Sequence, residues 1–364
     1  MANLTSETIL TTDLHLHLYG MLEANDLWEI GKDTYRSTRD RLLWYSLEYE
    51  KAWALKPDPI AYWENENGRE LLIQDFERCS KKGTASFQQF QSCFNLIIAL
   101  CPISSTDMKI PRFLLERAHK KGAKQLEVRT VFPFHFTAPQ AHRYLTNLCQ
   151  EVSMLNHELP METHLVFSLS RQLPTAEKHY RWIKDFQRAS PNISRVITGV
   201  DFCGLEEEAS PLDHKIFFQR FLKEQPKTKL QLLYHVGEQF ENLSLETSLG
   251  RILQARWSGI RRLGHATSLG ISPQALARKI IWEPKQSFEA HRKWLYENSS
   301  FLCRIGLDSY LREFHHPFHQ DKQAYKIHYT EEYINHIEHL QNITGDYIKA
   351  QGTVIECCPF SNWF

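Results

Sequence analysis

The chain has 364 residues, of which 42% are hydrophobic and 24% are charged, as is typical of a globular protein with a sizeable core. Lysine plus arginine (43) equals aspartate plus glutamate (43), so no basic nucleic-acid-binding surface and no acidic tail is indicated. The sequence shows no signal-peptide pattern and no apolar run of the roughly 18 residues that span a membrane, so we expect a cytoplasmic protein without a membrane partner.

Cysteine and histidine point to different roles in this chain. The eight cysteines are scattered without a Cys-X-X-Cys pair, which predicts reduced core residues and neither a disulfide framework nor a cysteine-rich zinc site. The chain also has eighteen histidines, and several of them end predicted strands, where side chains can converge on a metal ion.

Short apolar runs alternate with longer helical patterns along the chain. The predicted strands are residues 9–18, 124–132, 164–170, 195–202, 229–236, 259–264 and 353–358. The helical patterns between them include residues 111–121, 141–157, 176–188, 211–223 and 330–349. Alternation of this kind predicts right-handed β-α-β units and a parallel sheet.

Seven units are one short of a (β/α)8 barrel. We therefore predict an α/β fold, a TIM-type barrel whose strands 1 to 7 occupy residues 1–364 and whose eighth strand is absent from the chain. Two connections, at about 28–85 and about 275–330, are unusually long, aromatic and helical. We interpret them as large helical insertions that cover the barrel mouth or form oligomer contacts, or that simply pack against the barrel.

The first motif ends the first predicted strand. His15 and His17 are two positions apart, so both imidazoles point to one face of a strand, and imidazole is a good zinc ligand. Taken alone, the pattern is common and more often marks two half-buried histidines on a strand than a metal site. Asp13 either supports these histidines as a hydrogen-bond acceptor or is a turn residue.

Two further motifs end later strands. His235 is followed after three residues by Glu238, with Gly237 allowing a sharp turn between them, and His265 closes the sixth predicted strand. A barrel builds its active site at the C-terminal ends of its strands. Together the motifs predict a hydrolytic zinc site with three nitrogen ligands, one carboxylic acid and one further imidazole.

These motifs resemble the signatures of the adenosine deaminase family, a group of metal-dependent amidohydrolases. HLHLYG (15–20), HVGE (235–238) and LGH (263–265) are similar to the family's HxHxDG, HAGE and GHG. Supporting matches, in the same chain order, are EVR (127–129), GVDFCG (199–204) and ECCPFSN (356–362). The resemblance implies a barrel of the metallo-dependent hydrolase kind.

The resemblance also implies the chemistry of the site. His15, His17 and His235 would ligate Zn²⁺, and His265 would orient or deprotonate the attacking water. Glu238 would protonate the purine ring nitrogen as the water oxygen attacks the amino-bearing carbon. The expected reaction is zinc-dependent hydrolytic deamination of an adenine nucleoside or nucleotide. Hydrolysis of another amidine or amide is an alternative.

On the substrate side, the resemblance implies that the backbone N–H of Gly204 donates to the far ring nitrogen of the base, with His17 also next to the substrate. Tyr19 stands where the family usually has an aspartate that accepts from the ribose 5′-hydroxyl. Removing that negative charge favours a 5′-phosphorylated substrate such as AMP or ATP, with free adenosine as the alternative. Arg129 and Arg171 are candidate phosphate partners, or else structural ion pairs.

One departure from the family pattern concerns the end of the sequence. The family's next strand carries an adjacent pair of aspartates, one on zinc and one aligning the water, and this sequence ends at Phe364. We expect a further C-terminal segment or a partner chain to supply the pair, and the 364 residues alone to be inactive. The alternative is a non-catalytic degenerate barrel that acts as an assembly or ligand-sensing scaffold.

The two insertions and Tyr19 together are similar to the deaminase component of bacterial RADAR-type anti-phage systems. That resemblance implies a homo-oligomer acting on adenine nucleotides or nucleosides in antiviral defence.

Overall fold

A computed structural model describes residues 12–79, 86–101, 103–312 and 323–357. The chain divides into two compact units, the first formed by residues up to 167 together with 182–197, the second by 168–181 and 198–357. Among the helices in these described ranges, none combines the length and the apolar character needed to cross a membrane.

The strands confirm the predicted fold class. The described residues contain β1 (Thr12–His17), β2 (Gln125–Val131), β3 (Glu162–Ser170), β4 (Ile197–Cys203), β5 (Gln231–Val236), β6 (Arg262–His265), β7 (Ile280–Pro284), β8 (Ala324–His328) and β9 (Val354–Glu356). Seven of them form one sheet in the order β1-β2-β3-β4-β5-β6-β9. With the helices between them, these parallel strands make an α/β fold of the TIM-barrel type.

The first unit contains the predicted first and second strands. β1 pairs with β2 in parallel, from Thr12 opposite Gln125 to His17 opposite Arg129, and the register shifts between Asp13 and Leu16. Residues 9–11 of the predicted first strand lie outside the described residues.

Helices fill the long connection between β1 and β2. They are α1 (Ala24–Thr34), α2 (Arg39–Trp53), α3 (Ala61–Glu64), α4 (Gly68–Phe76), α5 (Phe87–Leu100) and α6 (Lys109–Lys120), followed after β2 by α7 (Ala138–Glu158). Helix α5 begins at a reciprocal cap, in which the Ser86 hydroxyl accepts from the backbone N–H of Gln89 at 3.1 Å and the Gln89 side chain accepts from the Ser86 N–H at 3.0 Å. The helical content matches the sequence prediction, and its interpretation as an insertion stays a prediction.

Aromatic residues pack this connection internally. The rings of Trp28 and Trp63 stack at 6.0 Å, and the Trp63 indole N–H donates to the Trp28 carbonyl oxygen at 3.0 Å. Gly31 makes this approach possible, because a Cβ atom there would lie 1.9 Å from the Trp63 ring. These tryptophans therefore hold α1 against the segment that contains α3.

The second unit contains the later strands. β4, β5, β6 and β9 pair in parallel, with His235 opposite Gly264 and Gly264 opposite Glu356. Its helices are α9 (Lys215–Thr228), α10 (Leu245–Trp257), α11 (Lys285–Glu297), α12 (Ser299–Arg304) and α13 (Glu331–Ala350), while α8 (Leu173–Ala189) belongs partly to each unit. Residues 358–362 of the matched ECCPFSN segment lie outside the described residues.

Segment 275–330, which the sequence predicts to be a helix-rich insertion, also contains two strands that were not predicted. β7 and β8 form an antiparallel pair, from Ile280 opposite His328 to Pro284 opposite Ala324. Trp282 is 48% exposed while Glu283 is fully buried, so the polar residue faces inward and the large apolar one faces outward. This inverted alternation hides the strand from a hydrophobicity pattern.

Candidate active site

In the first unit, two imidazoles lie side by side at the end of β1. The His15 ring is buried and the His17 ring is half-buried, with their centroids 5.4 Å apart. The Asp13 carboxylate accepts from the backbone N–H of His15 at 2.9 Å, a contact with the main chain of the strand. The end of β1 therefore presents two nitrogen donors close together.

Tyr19 and Arg129 lie near these histidines in the chain and in the sheet. Tyr19 opens a 3₁₀ turn (Tyr19–Met21) after β1, and burial raises the pKa of its phenol, with the neighbouring Tyr144 adding to the shift. The hydroxyl is therefore neutral and can both donate and accept. Arg129 is buried and donates from Nη1 to the Leu14 carbonyl oxygen, so the guanidinium contacts β1. Its role as a phosphate partner stays a prediction.

In the second unit, the C-terminal ends of β4, β5 and β6 bring four titratable side chains together. The rings of His235 and His265 are 4.9 Å apart, and Nε2 of His265 lies 3.5 Å from Oε1 of Glu238. Asp201, which is fully buried on β4, has Oδ1 3.0 Å from Nδ1 of His235. The two sequence motifs HVGE and LGH thus meet in space.

The Asp201 contact determines which nitrogen of His235 can bind a metal. An ionised carboxylate only accepts hydrogen bonds, so Nδ1 of His235 carries the proton and donates it to Asp201. The neutral ring then has its lone pair on Nε2. Metal-binding histidines typically have this carboxylate partner on the other ring nitrogen. His235 therefore has the chemistry of a metal ligand.

Glu238 has the properties of a proton donor. Its side chain is only 13% exposed, and burial is the main cause that raises the pKa of its carboxyl group. His265 and Arg171 oppose this shift, while the carboxylates of Glu206 and Asp201 add to it. The raised pKa means that Glu238 keeps its proton to a higher pH than an exposed glutamate does, and the protonated form is the one in which a carboxyl group can donate.

Left-handed backbone conformations concentrate at this site. Gly237 has φ +69°, and a Cβ atom there would lie 2.7 Å from Oγ of Ser268 and 2.9 Å from Cδ1 of Ile252. His265 and Ala266 also have positive φ, at +67° and +48°, although neither is a glycine. Such strain persists where the surrounding structure enforces it, and it is common at functional sites.

Gly204 follows β4 and is also left-handed, with φ +105°. No heavy atom of the described residues lies within 4 Å of the position that a Cβ atom would take. The residue is exposed. The backbone on this side of Gly204 is therefore open to a ligand.

Arg171 has a structural role that the sequence did not indicate. Its guanidinium donates to the carbonyl oxygens of Gly204 and His235 at 3.0 and 2.8 Å, and to the Tyr234 hydroxyl at 2.6 Å. These donors hold the ends of β4 and β5. The proposed phosphate contact of Arg171 has no support in these bonds.

Asp201 is a second residue whose role the sequence analysis missed, although it lies within the matched GVDFCG segment. A signal was present, because a charged side chain inside an apolar strand is seldom fully buried unless it is paired. Its partner His235 is 34 residues away in the chain. Spacing alone could not pair them.

Comparison with known proteins gives only remote similarities. No family model matches the chain, and no curated protein matches it in sequence. It is similar to the structure of Arabidopsis ADAL complexed with GMP (16% identity, 79% of this chain and 70% of that chain, TM-score 0.45). It is also similar to Arabidopsis N6-mAMP deaminase MAPDA, with 16% identity over 79% of this chain and 71% of that chain and a TM-score of 0.44. A third similar structure is adenine deaminase AAur1117 from Arthrobacter aurescens, with 12% identity over 93% of this chain and 99% of that chain and a TM-score of 0.45. Similarities this remote assign neither a family nor an activity to the chain.

The crowding at Gly237 gives a stability prediction. We expect Gly237→Ala to lower the free energy of unfolding by at least about 2 kcal/mol, because a left-handed alanine is strained and its Cβ would overlap Ser268 and Ile252. Gly345→Ala is the matched control, since Gly345 lies inside α13 with open space around the added Cβ. It should stabilise by about 0.5–1 kcal/mol. Urea unfolding of both variants measures this, and equal effects would contradict the prediction.

Proposed function

We propose that this protein catalyses metal-dependent hydrolytic deamination of an adenine nucleoside or nucleotide. The supporting observation is the arrangement in the second unit, where a protonatable Glu238 lies beside His265 and next to the Asp201-bound His235. A proton donor, a second imidazole and an oriented metal ligand are the groups that this reaction needs.

The metal ligands in this proposal are His15, His17 and His235. Imidazole nitrogens suit zinc better than they suit calcium or magnesium, so the donor set fits Zn²⁺. When bound, zinc supplies Lewis acidity that makes water nucleophilic at neutral pH. The contact between His235 and Asp201 supports this assignment, because it directs the Nε2 lone pair away from the carboxylate.

The protein groups handle the protons of the reaction. Glu238 donates a proton to a ring nitrogen of the purine, which makes the adjacent amino-bearing carbon more electrophilic. His265 accepts a proton from the attacking water, whose oxygen bonds to that carbon, and then gives this proton to the amino group, so that the carbon–nitrogen bond breaks and ammonia leaves. The remaining hydroxyl proton passes to Glu238 as the new carbonyl forms, which restores its protonated state. The Gly204 N–H donates to the far ring nitrogen and holds the base. His17 adds a contact to the substrate.

Tyr19 directs the proposal towards a 5′-phosphorylated substrate such as AMP or ATP. A phenol is neutral at neutral pH, and burial raises the pKa of Tyr19 further, so it adds no negative charge that would repel a phosphate. The hydroxyl can donate to a phosphate oxygen. Arg129, a buried cation within the matched EVR segment, is included in the proposal as a phosphate partner. Adenosine is the competing substrate.

The wider proposal follows the resemblance stated for the insertions and Tyr19. In this proposal the protein forms a homo-oligomer that acts in anti-phage defence. A further segment or a partner chain supplies the aspartate pair. A scaffold without catalysis is the competing outcome in the experiments below.

The first prediction concerns activity and metal content together. Purified full-length protein, meaning this chain together with the segment or partner chain that supplies the aspartate pair, should hold about one zinc per chain and release ammonia from adenosine, AMP or ATP, because three imidazoles provide the protein nitrogen ligands. His235→Ala should lose the zinc and the activity. His157→Ala, at an exposed histidine on α7, is the control that should change neither.

Two measurements decide this prediction, namely metal analysis by mass spectrometry and ammonia release. If no substrate reacts and His235→Ala keeps its zinc, the site is not a zinc centre and the scaffold interpretation replaces it.

The second prediction concerns Asp201. Asp201→Asn should weaken zinc binding by about 10- to 100-fold, because an amide holds the Nδ1 proton of His235 less strongly than a carboxylate does. Asp185→Asn, at an exposed aspartate on α8, should leave the affinity unchanged. Competition with a chelator measures both. Equal affinities in the two variants would show that Asp201 does not support a metal ligand.

The third prediction concerns the 5′ group. Tyr19→Asp should lower the ratio of kcat/KM for AMP to that for adenosine by about tenfold or more, because it places a negative charge near the phosphate. In the control variant Tyr19→Asn, the asparagine has nearly the same shape as the aspartate but no charge. This variant therefore shows the effect of losing the aromatic ring alone. If both variants change the ratio equally, charge at position 19 does not select the substrate.

A further inference from the structure

A buried glutamate accepts three successive backbone hydrogen bonds at the candidate site. Glu206 lies in a short 3₁₀ turn after β4 and is 1% exposed. Its carboxylate accepts from the N–H groups of Gly237, Glu238 and Gln239, at 2.8, 3.0 and 2.9 Å.

Three consecutive N–H groups that converge on one point form an anion-binding arrangement of the backbone. In many proteins a bound anion takes that position, whereas here the Glu206 side chain occupies it. Hydrogen bonds to an ionised acceptor are stronger than those between neutral groups. The loop that carries Glu238 is therefore held by the side chain of a residue on a different loop.

The turn that contains Glu206 is itself held from two sides. Oε1 of Gln239 accepts from the Glu206 N–H at 3.0 Å, and Nη1 of Arg251 donates to the Glu206 carbonyl oxygen. Arg171 joins the same two loops through the carbonyl oxygens of Gly204 and His235. The loops after β4 and β5 thus form one hydrogen-bonded assembly.

We propose that Glu206 is a positioning residue, whose carboxylate holds the backbone of Glu238 so that its side chain meets the ring nitrogen of the substrate. This assignment rests on the proposed deamination, because that reaction requires Glu238 to protonate a ring nitrogen of the substrate. Glu206 acts through Glu238 and Gly237 and has no contact with substrate in this role. A displacement of about 1 Å in a proton donor can cost about 100-fold in rate.

The test compares three variants of the full-length, zinc-loaded protein. Glu206→Gln keeps the size of the side chain, removes its charge and turns one acceptor into a donor that faces the backbone N–H groups. Gln239→Leu removes the acceptor for the Glu206 N–H without changing any charge. Glu208→Gln, at an exposed glutamate in the same turn, is the matched control.

The expected result is a loss in kcat without a loss in substrate affinity. Glu206→Gln should lower kcat by about 30-fold or more while KM changes less than about threefold, because the lost contact matters only when the proton is transferred. Gln239→Leu should show a smaller loss in the same direction, and Glu208→Gln should match the wild type. Substrates are adenosine and AMP.

Backbone hydrogen exchange provides a readout that does not depend on turnover. The amides of residues 237–239 should be protected in the wild type and should exchange at least about tenfold faster in Glu206→Gln. Zinc content and thermal unfolding show whether a variant is folded. If Glu206→Gln does not fold, Gln239→Leu decides by the same two measurements.

The outcomes separate the two proposals. Unchanged kcat and unchanged exchange in Glu206→Gln would overturn the positioning role, as would a rise in KM at constant kcat. If the wild type deaminates neither substrate while the Glu206→Gln variant still loses amide protection at residues 237–239, the proposed function is overturned. Glu206 then only stabilises the loop.

Discussion

Two buried charged side chains, Arg171 and Glu206, hold the backbone from which the rest of the candidate site is built. Arg171 donates to a carbonyl oxygen just after β4 and to one near the end of β5, and Glu206 accepts from N–H groups after β5. A buried charge without partners is strongly unfavourable, so each must be satisfied by hydrogen bonds in the folded state. The loops satisfy both side chains in the observed arrangement, which presents Gly204 and Glu238.

The end of β6 contains strained backbone next to these loops. His265 and Ala266 adopt left-handed conformations that cost about 1–3 kcal/mol each in a residue other than glycine. Backbone hydrogen bonds offset this cost, from the Ala266 N–H to the Val236 carbonyl oxygen at 2.9 Å and from the Ser268 N–H to that of Gly237 at 2.8 Å. Strain and pairing together place the His265 ring beside that of His235.

Two carboxyl groups in this site have different surroundings. Asp201 is fully buried and bonded to an imidazole, whereas Glu238 is in a buried environment that raises its pKa and lies beside His265. Sites that separate two acids in this way can use one as an acceptor and the other as a proton donor. The proposed division of work between Asp201 and Glu238 follows from this difference.

The sequence by itself determined the fold class, because strand and helix periodicities are local properties, and it placed His17, His235 and His265 in strands that the structure contains. Only the tertiary structure decided which side chains form hydrogen bonds with these strand ends and with the loops that follow them. Glu206 is 31 residues from Gly237, and Arg171 is 64 residues from His235, so no spacing rule could pair them. The β7–β8 pair was missed because its buried Glu283 and exposed Trp282 invert the usual pattern. Partners of buried charges are chosen by three-dimensional proximity, and hydrophobic periodicity carries no information about them.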